Sequence, residues 1–579
     1  MQFSKNWLKD FIDIDLSTEI ICSQLTMAGL EVDGYEDVSS KITGKDSIIK
    51  LDITPNRGDC FSVLGVAREL SVINNLKLSL PNISSIESSF KDEMKVKACA
   101  EAPSYFGRTI RDISLNSKTL PLIAERLKFS DQKLIDPVVD ITNYILLELG
   151  QPLHAFDRDK LMGNITVRTA FNKEKIRLLD DQELVLDDSC LVISDEESAV
   201  AFAGIMGGKE SAVSASTNSI FLESAFFKPS IIRGKARRYG FQTDASLRFE
   251  RGVDYKIQEI AIDRASILLR DTVGGRFSEV TSSTLKNQLP KQTKINLDLE
   301  KSNGLLGTKI SKQVALRYFK GLGFAPESLK NSRISAIPPS WRYDLTIEAD
   351  LVEELARLEG YDSLPQLSLS PVYKKIELNS QNHLSDLLSA KGFNEIISYS
   401  FISRDDHDLF GEGVAALEVK NPISQNMSVM RTNLVSGLVS TFLHNLNHGQ
   451  DSQRLFEIGN TFSLKNSKEV VEKNTLAGLM NGKVNEDNWK AKAKDISFYD
   501  LKGVVQDLLR EYKGPYIFDN CKIDFLHPGM SSLIKINNKI IGFMGSLQPK
   551  CLDRLGLSED IYIFSLELNY LQKKASSFW

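Results

Sequence analysis

The chain has 579 residues, 42% hydrophobic and 25% charged, which excludes a disordered protein and suggests about three to five folded domains. Its 71 Lys and Arg against 76 Asp and Glu give a net charge of −5, which argues against a protein whose whole surface coats nucleic acid. No apolar run approaches the roughly 20 residues that span a bilayer, and the acidic start MQFSKNWLKDFIDID is unlike a signal peptide, so we expect a cytoplasmic protein without a membrane segment.

Residues 1–94 predict an N-terminal α+β domain. Ser17 is a candidate N-cap, and Glu19 lies in the first turn of an amphipathic helix that ends at Gly29. The stretch IIKLDITPNRGDCFSVLGVARELSVINN then predicts a strand, a turn and a helix that begins at about Phe61.

The rest of the chain predicts three further domains. Short β-like runs such as NITVRTA and SIFLESAFF, separated by Gly, Asn and Asp turns, predict a β-rich domain over residues 95–289. A small mixed α/β domain is expected over 290–365, and a C-terminal region of alternating helices and strands over 370–579, with LPQLSLSP as the linker between them. The predicted fold class is therefore multidomain α+β.

Four carboxylates surround the start of one predicted helix in SWRYDLTIEADLVEELARLEGYD. At about 100° per residue, Asp350, Glu353 and Glu354 share an outward face while leucines face a core, and Asp344 precedes the helix. One interpretation is a solvated acidic face that answers the helix dipole and pairs with Arg357. The other is a site for a hard divalent cation such as Mg²⁺. Spacing alone does not decide between them.

Several stretches of the chain occur in the order found in one protein family. They are LTMAGLEVDG, DITPNRGDCFSVLGVARELS, VVDITNYILLELGQPLHAFD, AFAGIMGGKES, LESAFF, TDASLRFERGVD, PPSWRYDLTIEADLVEELARLEGYDSLP, LVSGLV, RLFEIGNTF and HPGMSSLIK. Together they closely resemble the β subunit of bacterial phenylalanyl-tRNA synthetase. The resemblance covers nearly the whole chain, from the first residues to the last.

The resemblance implies Mg²⁺ at the junction with a catalytic α subunit, bound by Asp344, Asp350, Glu353 and Glu354. It thereby favours the metal interpretation over the solvated acidic face. It also implies a heterotetramer of two α and two β subunits that attaches phenylalanine to tRNA(Phe), with ATP used by the α subunit.

By the same resemblance, the β-rich domain is an editing centre that hydrolyses tRNA(Phe) mischarged with tyrosine. Such a second, hydrolytic selection step is physically reasonable, because an apolar synthetic pocket rejects the added hydroxyl of tyrosine only weakly. The pocket residues fall on Thr142, Asn143, His154, Gly204 and Glu223. The Glu223 carboxylate is expected to accept a hydrogen bond from the tyrosine hydroxyl, whereas phenylalanine would leave that charge unpaired. His154 is a candidate to orient water or the ester, with a structural role as the alternative.

A basic stretch, IIRGKARRYGFQTDASLRFERGVD, follows the predicted pocket motifs. Its cations are Arg233, Lys235, Arg237, Arg238, Arg248 and Arg251. A solvated basic surface is one interpretation. Beside an editing pocket, contact with phosphates of the tRNA acceptor end is the interpretation we favour.

The C-terminal region resembles the inactive copy of the class II synthetase core in this family, an antiparallel sheet with helices. In RLFEIGN, Arg454 and Glu457 have the wrong spacing for the ATP-binding motif of active cores, so we expect an interface for the α subunit rather than ATP or phenylalanine binding. Two domains usual in the family have no counterpart here, an OB-fold insertion after MAGLEVDGYEDV and a C-terminal ferredoxin-like anticodon-binding domain. We expect natural loss of the first, and the second case stays open.

Two rival functions stay open. One is a structural assembly subunit in which editing has decayed, against which the retained Thr142, His154, Gly204 and Glu223 argue. The other is a free-standing trans-editing hydrolase, against which the acidic helix and the large synthetase-like region argue, because both would be unexplained surface without an α subunit.

Overall fold

The computed structural model describes residues 1–366 except 82 and 84, and residues 380–570 except 466–468, 486–488, 491 and 511–514. The chain separates into two compact units, residues 1–369 and 370–579. The predicted linker LPQLSLSP lies mostly outside the described residues. No helix within the described ranges is long and apolar enough to cross a membrane.

The N-terminal part of the first unit is a small sheet with two helices. Its elements are β1 (Gln2–Ser4), α1 (Thr18–Met27), β2 (Glu31–Ser40), β3 (Gly44–Asp52) and α2 (Val63–Ile73). The strands pair antiparallel in the order β1–β3–β2. Ser17 Oγ accepts a hydrogen bond from the Ile20 amide at the start of α1 (3.4 Å), which confirms the predicted N-cap.

The middle part of the first unit contains two five-stranded sheets, a short hairpin and six helices within the described residues. Its elements are β4 (Val96–Lys97), β5 (Ser104–Arg111), α3 (Pro121–Phe129), α4 (Pro137–Leu149), β6 (Leu153–Asp157), β7 (Ile165–Thr169), β8 (Glu174–Arg177), β9 (Glu183–Leu186), β10 (Leu191–Ser194), β11 (Ala199–Phe202), β12 (Met206–Gly207), β13 (Ser219–Phe226), α5 (Pro229–Ile232), α6 (Lys235–Arg238), α7 (Asp244–Arg251), α8 (Gln258–Val273), β14 (Arg276–Phe277) and β15 (Thr281–Thr284). One sheet has the order β12–β11–β10–β7–β4, and the other has the order β14–β5–β13–β6, with β15 also paired to β5.

Helices cover part of the second of these sheets, so the description of residues 95–289 as β-rich is incomplete. The helices α4 and α8 pack against each other and α8 contacts β5 and β13. The buried Glu148 of α4 forms an ion pair with Arg264 of α8 (2.9 Å), which satisfies a charge in the layer between them.

The last part of the first unit packs three helices with a small sheet. Its elements are β16 (Ile295–Asp298), α9 (Leu299–Leu306), α10 (Lys312–Gly321), β17 (Ala325–Ser328), β18 (Arg333–Ile337) and α11 (Glu348–Glu359). The strand order is β16–β18–β17, all antiparallel. Leu351 and Leu355 of α11 and Phe319 of α10 share one apolar core, as the leucine spacing predicted.

The cores of the first unit do not separate at the predicted boundary near residue 94. Trp7 and Phe11 share one core with Ile145 of α4 and Leu269 of α8. The ring of Trp7 stacks on Tyr144 with 4.7 Å between centroids. The four-domain division therefore stays a prediction.

The second unit is built on a mainly antiparallel sheet with helices. Its elements are α12 (Ser380–Ala390), β19 (Asn394–Glu395), β20 (Phe401–Ile402), α13 (Arg404–Phe410), β21 (Leu417–Glu418), β22 (Val429–Met430), α14 (Val435–Asn447), β23 (Gln453–Lys465), β24 (Glu469–Asn481), α15 (Phe498–Arg510), β25 (Tyr516–Asp519), β26 (Leu526–Ile536), β27 (Lys539–Leu547), α16 (Pro549–Leu555) and β28 (Tyr562–Glu567). The main sheet has the order β19–β23–β24–β28–β27–β26–β25, and only the short pair β19–β23 is parallel in it.

Alternate residues of the central strands point into two different apolar cores. Phe456 and Leu476 lie in one core, whereas Leu455 and Ala477 lie in the other, because successive side chains of a strand point to opposite faces. This sheet is therefore covered on both faces.

The two residues singled out in RLFEIGN bond within the second unit. Arg454 donates to the carbonyl oxygens of Lys391 and Val484 at 2.8 and 2.7 Å. Glu457 is buried and pairs with Arg431 at 2.7 Å. Both side chains therefore stabilise the sheet and its surroundings.

Gly107→Ala tests the packing of β5 against β13. A Cβ at position 107 would lie 2.1 Å from Cζ of Phe221, so we expect a loss of about 1 to 3 kcal/mol in the free energy of unfolding. Gly304→Ala, in α9 with open space around it, is the matched control and should stabilise by about 0.5 to 1 kcal/mol. Urea denaturation measures both, and equal effects would contradict the close contact.

Candidate functional site

A small buried cavity of about 70 Å³ lies between β6, the β11–β12 turn, β13 and α7. Its lining includes three of the residues nominated from sequence, His154, Gly204 and Glu223. Glu223 of β13 and His154 of β6 are direct partners across the two strands, so both side chains stand on the same face of the sheet. We call this cavity the His154–Glu223 pocket.

The structure does not bring Thr142 and Asn143 into the described lining of this pocket. Both residues lie in α4, and the Thr142 hydroxyl donates to the Val139 carbonyl oxygen at 2.7 Å. Thr142 is buried and already hydrogen-bonded. In this arrangement its hydroxyl supports the helix rather than the pocket.

Glu223 is a buried acid with one hydrogen-bond partner, Tyr105. The Tyr105 hydroxyl donates to Glu223 Oε2 at 2.9 Å. Burial raises the pKa of Glu223 to about 8, although the Tyr105 hydrogen bond opposes that shift. The side chain is therefore mostly a neutral carboxylic acid at pH 7, and not the charged carboxylate assumed from sequence. Tyr105 was missed because its position beside Glu223 follows only from the β5–β13 pairing.

His154 presents an unpaired ring nitrogen at the pocket. Its Nε2 is buried and has no hydrogen-bond partner within the described parts of the chain. Burial lowers the pKa of His154 to about 4, so the imidazole is neutral at pH 7. The ring stands edge-on to Phe156 with 4.4 Å between centroids. A buried unpaired nitrogen carries a desolvation cost that a bound water or ligand hydroxyl would remove.

Glycine backbone forms the wall opposite the imidazole. A Cβ on Gly207 would lie 2.4 Å from His154 Cε1, so only glycine admits the ring at this position. Gly204 has φ +68°, and a Cβ there would press on Phe227 and Ile232 at 3.1 Å. The glycines of the FAGIMGG stretch therefore let the backbone lie close to the rings of His154 and Phe227.

The pocket thus combines a neutral acid, a neutral imidazole and apolar walls. A neutral carboxyl both donates and accepts hydrogen bonds, and the unpaired Nε2 forms one as acceptor or donor according to the imidazole tautomer. This chemistry suits a ligand that brings a hydroxyl or a water molecule into an otherwise apolar space.

The acids around α11 do not share one outward face. Glu354 is 2% exposed, which corrects the expectation that all the acids of α11 face solvent. Its Oε1 accepts from Arg342 at 2.9 Å and from Arg357 at 2.8 Å. Its Oε2 accepts from the same two guanidinium groups. Burial opposes the charge, but Arg357 and Arg342 outweigh it and hold the pKa of Glu354 well below its usual range.

These contacts belong to a larger buried ionic network that joins α11 to the N-terminal part of the unit. Arg357 reaches Glu69 of α2, and Arg57 binds the same carboxylate at 2.6 Å. Arg342 also holds Asp344, at 2.8 Å. We call this set the Glu354 network; its members are Arg57, Asp59, Glu69, Arg342, Asp344, Glu354 and Arg357.

The residues present do not fit the four-carboxylate Mg²⁺ site that the resemblance implied. Each oxygen of Glu354 already accepts two guanidinium hydrogen bonds, so no lone pair remains for a cation. Asp350 accepts from the Ile347 amide at 2.9 Å and caps the helix, whereas Glu353 is exposed. In the described chain, a group of three potential metal-ligand atoms within 4.8 Å occurs only at Asp59, Cys60 and Glu69.

That remaining group is occupied by an arginine. Arg57 donates to Asp59 at 3.0 Å, to Cys60 Sγ at 3.1 Å and to Glu69 at 2.6 Å. A guanidinium thus lies where the three acceptors converge and supplies positive charge there in place of a metal ion.

The basic stretch is divided by the fold into paired and unpaired cations. Arg248 is buried and pairs with Asp244 at 2.7 Å, and Arg238 pairs with Asp187 at 2.6 Å. Lys235 donates to Ser189 Oγ at 2.5 Å. Arg233 and Arg251 instead line a second, larger cavity.

Comparison with known families and proteins gives consistent matches along the chain. Three family models match: "B3/4 domain" over residues 101–274, "tRNA synthetase B5 domain" over 295–361 and "Phenylalanyl tRNA synthetase beta chain CLM domain" over 362–568. The phenylalanine–tRNA ligase β subunit of Vibrio vulnificus is 39% identical over 539 residues, covering 91% of this chain and 68% of that protein. That of Pseudomonas savastanoi pv. phaseolicola is 40% identical over 542 residues, covering 92% and 68%.

Among solved structures, the N-terminal fragment of the phenylalanyl-tRNA synthetase β subunit from Pyrococcus horikoshii has a TM-score of 0.35 and 17% identity. The match covers 62% of this chain and 99% of that fragment. A similarity this weak supports no argument about fold.

Glu223→Gln tests the protonation state of the pocket acid. The pKa of Glu223 is about 8 in the folded protein against an ordinary value of 4.5, so the folded state holds a proton that the unfolded state has lost between these pH values. Wild-type stability should therefore fall relative to the variant as pH rises from about 4.5 to about 8, by on the order of a few kcal/mol. Denaturation at several pH values measures this, and parallel pH profiles would contradict it.

Glu354→Gln tests the buried network. Removing this charge leaves Arg342 and Arg357 incompletely paired in the interior, so we expect a loss of about 3 to 5 kcal/mol in the free energy of unfolding. Glu353→Gln, one residue earlier and exposed, is the matched control and should change it by less than about 0.5 kcal/mol. Equal effects in thermal or urea denaturation would show that Glu354 is not the centre of the network.

Proposed function

The chain belongs to the family of phenylalanine–tRNA ligase β subunits, and from this premise we propose that it assembles with an α subunit that performs the synthetic reaction with ATP. It is thus a component of a ligase. The relatives' name as β subunits supports the α partner, and their name as phenylalanine–tRNA ligases supports tRNA(Phe) as the nucleic acid. Assembly of two α and two β subunits in the cytoplasm is part of this proposal.

The chain's own reaction in this proposal is hydrolysis of tyrosine from mischarged tRNA(Phe). The observation that carries it is the meeting of His154, with its unpaired Nε2, and the neutral acid Glu223 in one buried pocket. The match of residues 101–274 to a B3/4 domain covers both residues. A second selection step is chemically reasonable, because an apolar pocket discriminates only about 100-fold against a substrate that differs by an added hydroxyl.

The hydrolysis requires a water molecule held against the ester carbonyl. His154 Nε2 is free to accept a hydrogen bond from that water, which aligns its oxygen with the carbonyl carbon. The water oxygen bonds to this carbon, the bond to the ribose oxygen breaks, and the proton from water ends on the ribose hydroxyl. With a pKa of about 4, His154 is a weak base at pH 7, so its part is to orient water more than to remove a proton.

Glu223 supplies the discrimination between tyrosine and phenylalanine. A neutral carboxyl pairs with the tyrosine hydroxyl, while Tyr105 keeps the acid in place through Oε2. Phenylalanine would leave this buried group without its second partner. Sites built to hydrogen-bond a hydroxyl reject the analogue that lacks it by factors of about 10⁴ or more.

A second candidate function is a structural subunit without hydrolysis, and the size of the pocket favours it. The pocket has a volume of about 70 Å³, whereas small-molecule sites are typically about 300 Å³ or larger. A tyrosyl ester fits only if wall residues such as Met206 and Phe249 move apart. If these walls stay closed, the unit acts only through assembly.

Release of tyrosine from mischarged tRNA(Phe) by the complex with the α subunit tests the proposal. Glu223→Ala should lower kcat/KM for this release by about 100-fold, and His154→Ala by about 100-fold or more, while charging with phenylalanine is retained. The matched control is Glu197→Ala, which removes an exposed acid between β10 and β11 and should leave the release of tyrosine unchanged. A wild-type complex that charges phenylalanine but never releases tyrosine would establish the structural function instead.

A further inference from the structure

A second cavity, of about 610 Å³, opens beside the start of α5 and the end of α7. Four cations line it: Lys228, Arg233, Arg251 and Lys291. None of the described residues that line it is acidic. We call it the basic cavity, and its volume is in the range of ligand sites, unlike that of the His154–Glu223 pocket.

The cations of the basic cavity are not neutralised by the protein. In the described parts of the chain, none of the four makes an ion pair within 4.0 Å, in contrast to Arg238 and Arg248 nearby. Like charges around one concave surface raise its positive potential and attract an anion. The unpaired cations therefore mark a local anion site on a protein whose net charge is −5.

One of these cations is held rigidly. Arg251 donates to the Ile53 carbonyl oxygen at 3.0 Å, and its guanidinium lies 4.7 Å from the ring centroid of Phe61. Its remaining N–H groups have no acceptor among the described residues, and a guanidinium offers such donors to phosphate oxygens as a fork. Lys228 is half-buried, whereas Arg233 and Lys291 are exposed at the rim.

The two cavities share a wall. Phe227 lines the His154–Glu223 pocket and the next residue, Lys228, lines the basic cavity. Phe249 and Arg251 of α7 divide between the two cavities in the same way. The two cavities are therefore lined by neighbouring residues of the same two chain segments.

We propose that the basic cavity binds backbone phosphates of the RNA strand whose terminal ester enters the His154–Glu223 pocket. An aminoacyl ester on a terminal ribose is followed immediately by the phosphodiester chain, so an ester site with a cation-lined neighbour matches that order of groups. Lysine and arginine contacts to phosphates position a strand without reading its bases. The inference rests on the proposed hydrolysis, since it takes the pocket as the ester site.

The proposal selects particular cations from the basic stretch and adds two from elsewhere. Arg233 and Arg251 face the cavity, whereas Lys235 and Arg238 are engaged with Ser189 and Asp187 on another surface. Lys228 and Lys291 lie outside the basic stretch; Lys228 shortly precedes it, whereas only the fold brings the distant Lys291 to the same cavity. The proposed RNA contact therefore involves only two of the six cations of the basic stretch, Arg233 and Arg251.

Binding of a fluorescent single-stranded RNA oligonucleotide to the full chain tests the inference. Lys228→Ala combined with Lys291→Ala should weaken binding about tenfold, and the slope of log K against log salt should become shallower by about 1.4, because each phosphate contact on a single strand contributes about 0.7. The matched control is Arg237→Ala, an exposed cation of α6 outside the cavity lining, which should change affinity less than about twofold. Unchanged melting temperatures confirm that the variants are folded.

The outcomes separate this inference from the proposed hydrolysis. If the double variant binds RNA as tightly as wild type, the inference is overturned, whether or not tyrosine is released from mischarged tRNA. If RNA binding falls as expected but the wild-type complex releases no tyrosine, only the hydrolysis proposal fails. A second arm uses AMP alone; AMP binding that depends on Lys228 and Lys291 as strongly as RNA binding would assign the cavity to a free nucleotide and overturn the inference.

Discussion

The burial of β13 is the constraint on which the arrangement of the first unit's site depends. All eight residues of this strand are buried, and it pairs with β5 on one side and β6 on the other. A shift of one residue would turn Glu223 to the opposite face of the sheet, so the register is strongly specified by the cores on both sides. The same register fixes Tyr105 and His154 around the acid, and burial then makes both titratable groups of the pocket neutral.

The Glu354 network plays a comparable part for the other end of the unit. Three arginines and four acids are withdrawn from water, and they are tolerated because each charge faces partners of opposite sign. The network joins α11 to residues 57–69, which are distant in sequence. The acids that suggested a metal site thus include two, Asp344 and Glu354, whose partners are arginines. The neighbouring Glu353 is exposed, whereas Glu354 is buried.

The two cavities also differ in the charge of the side chains that line them. Both titratable groups of the His154–Glu223 pocket are neutral at pH 7, whereas the basic cavity keeps four cations without ion pairs among the described residues. An aminoacyl ester has a comparable order of groups, since its acyl group is followed by a negatively charged phosphodiester chain. Phe227 and Lys228 separate these environments within one peptide unit.

Local features of this protein were determined by its sequence, because they depend on residues close together in the chain. The Ser17 cap and the leucine face of α11 are of this kind, and motif order was enough to nominate His154 and Glu223. Tertiary structure alone decided which nominated residues meet. Tyr105 reaches Glu223 across 118 positions, Arg357 reaches Glu69 across 288, and Thr142 turns to its own helix. Burial and ion pairing at such separations follow from strand register and packing, which no local spacing encodes.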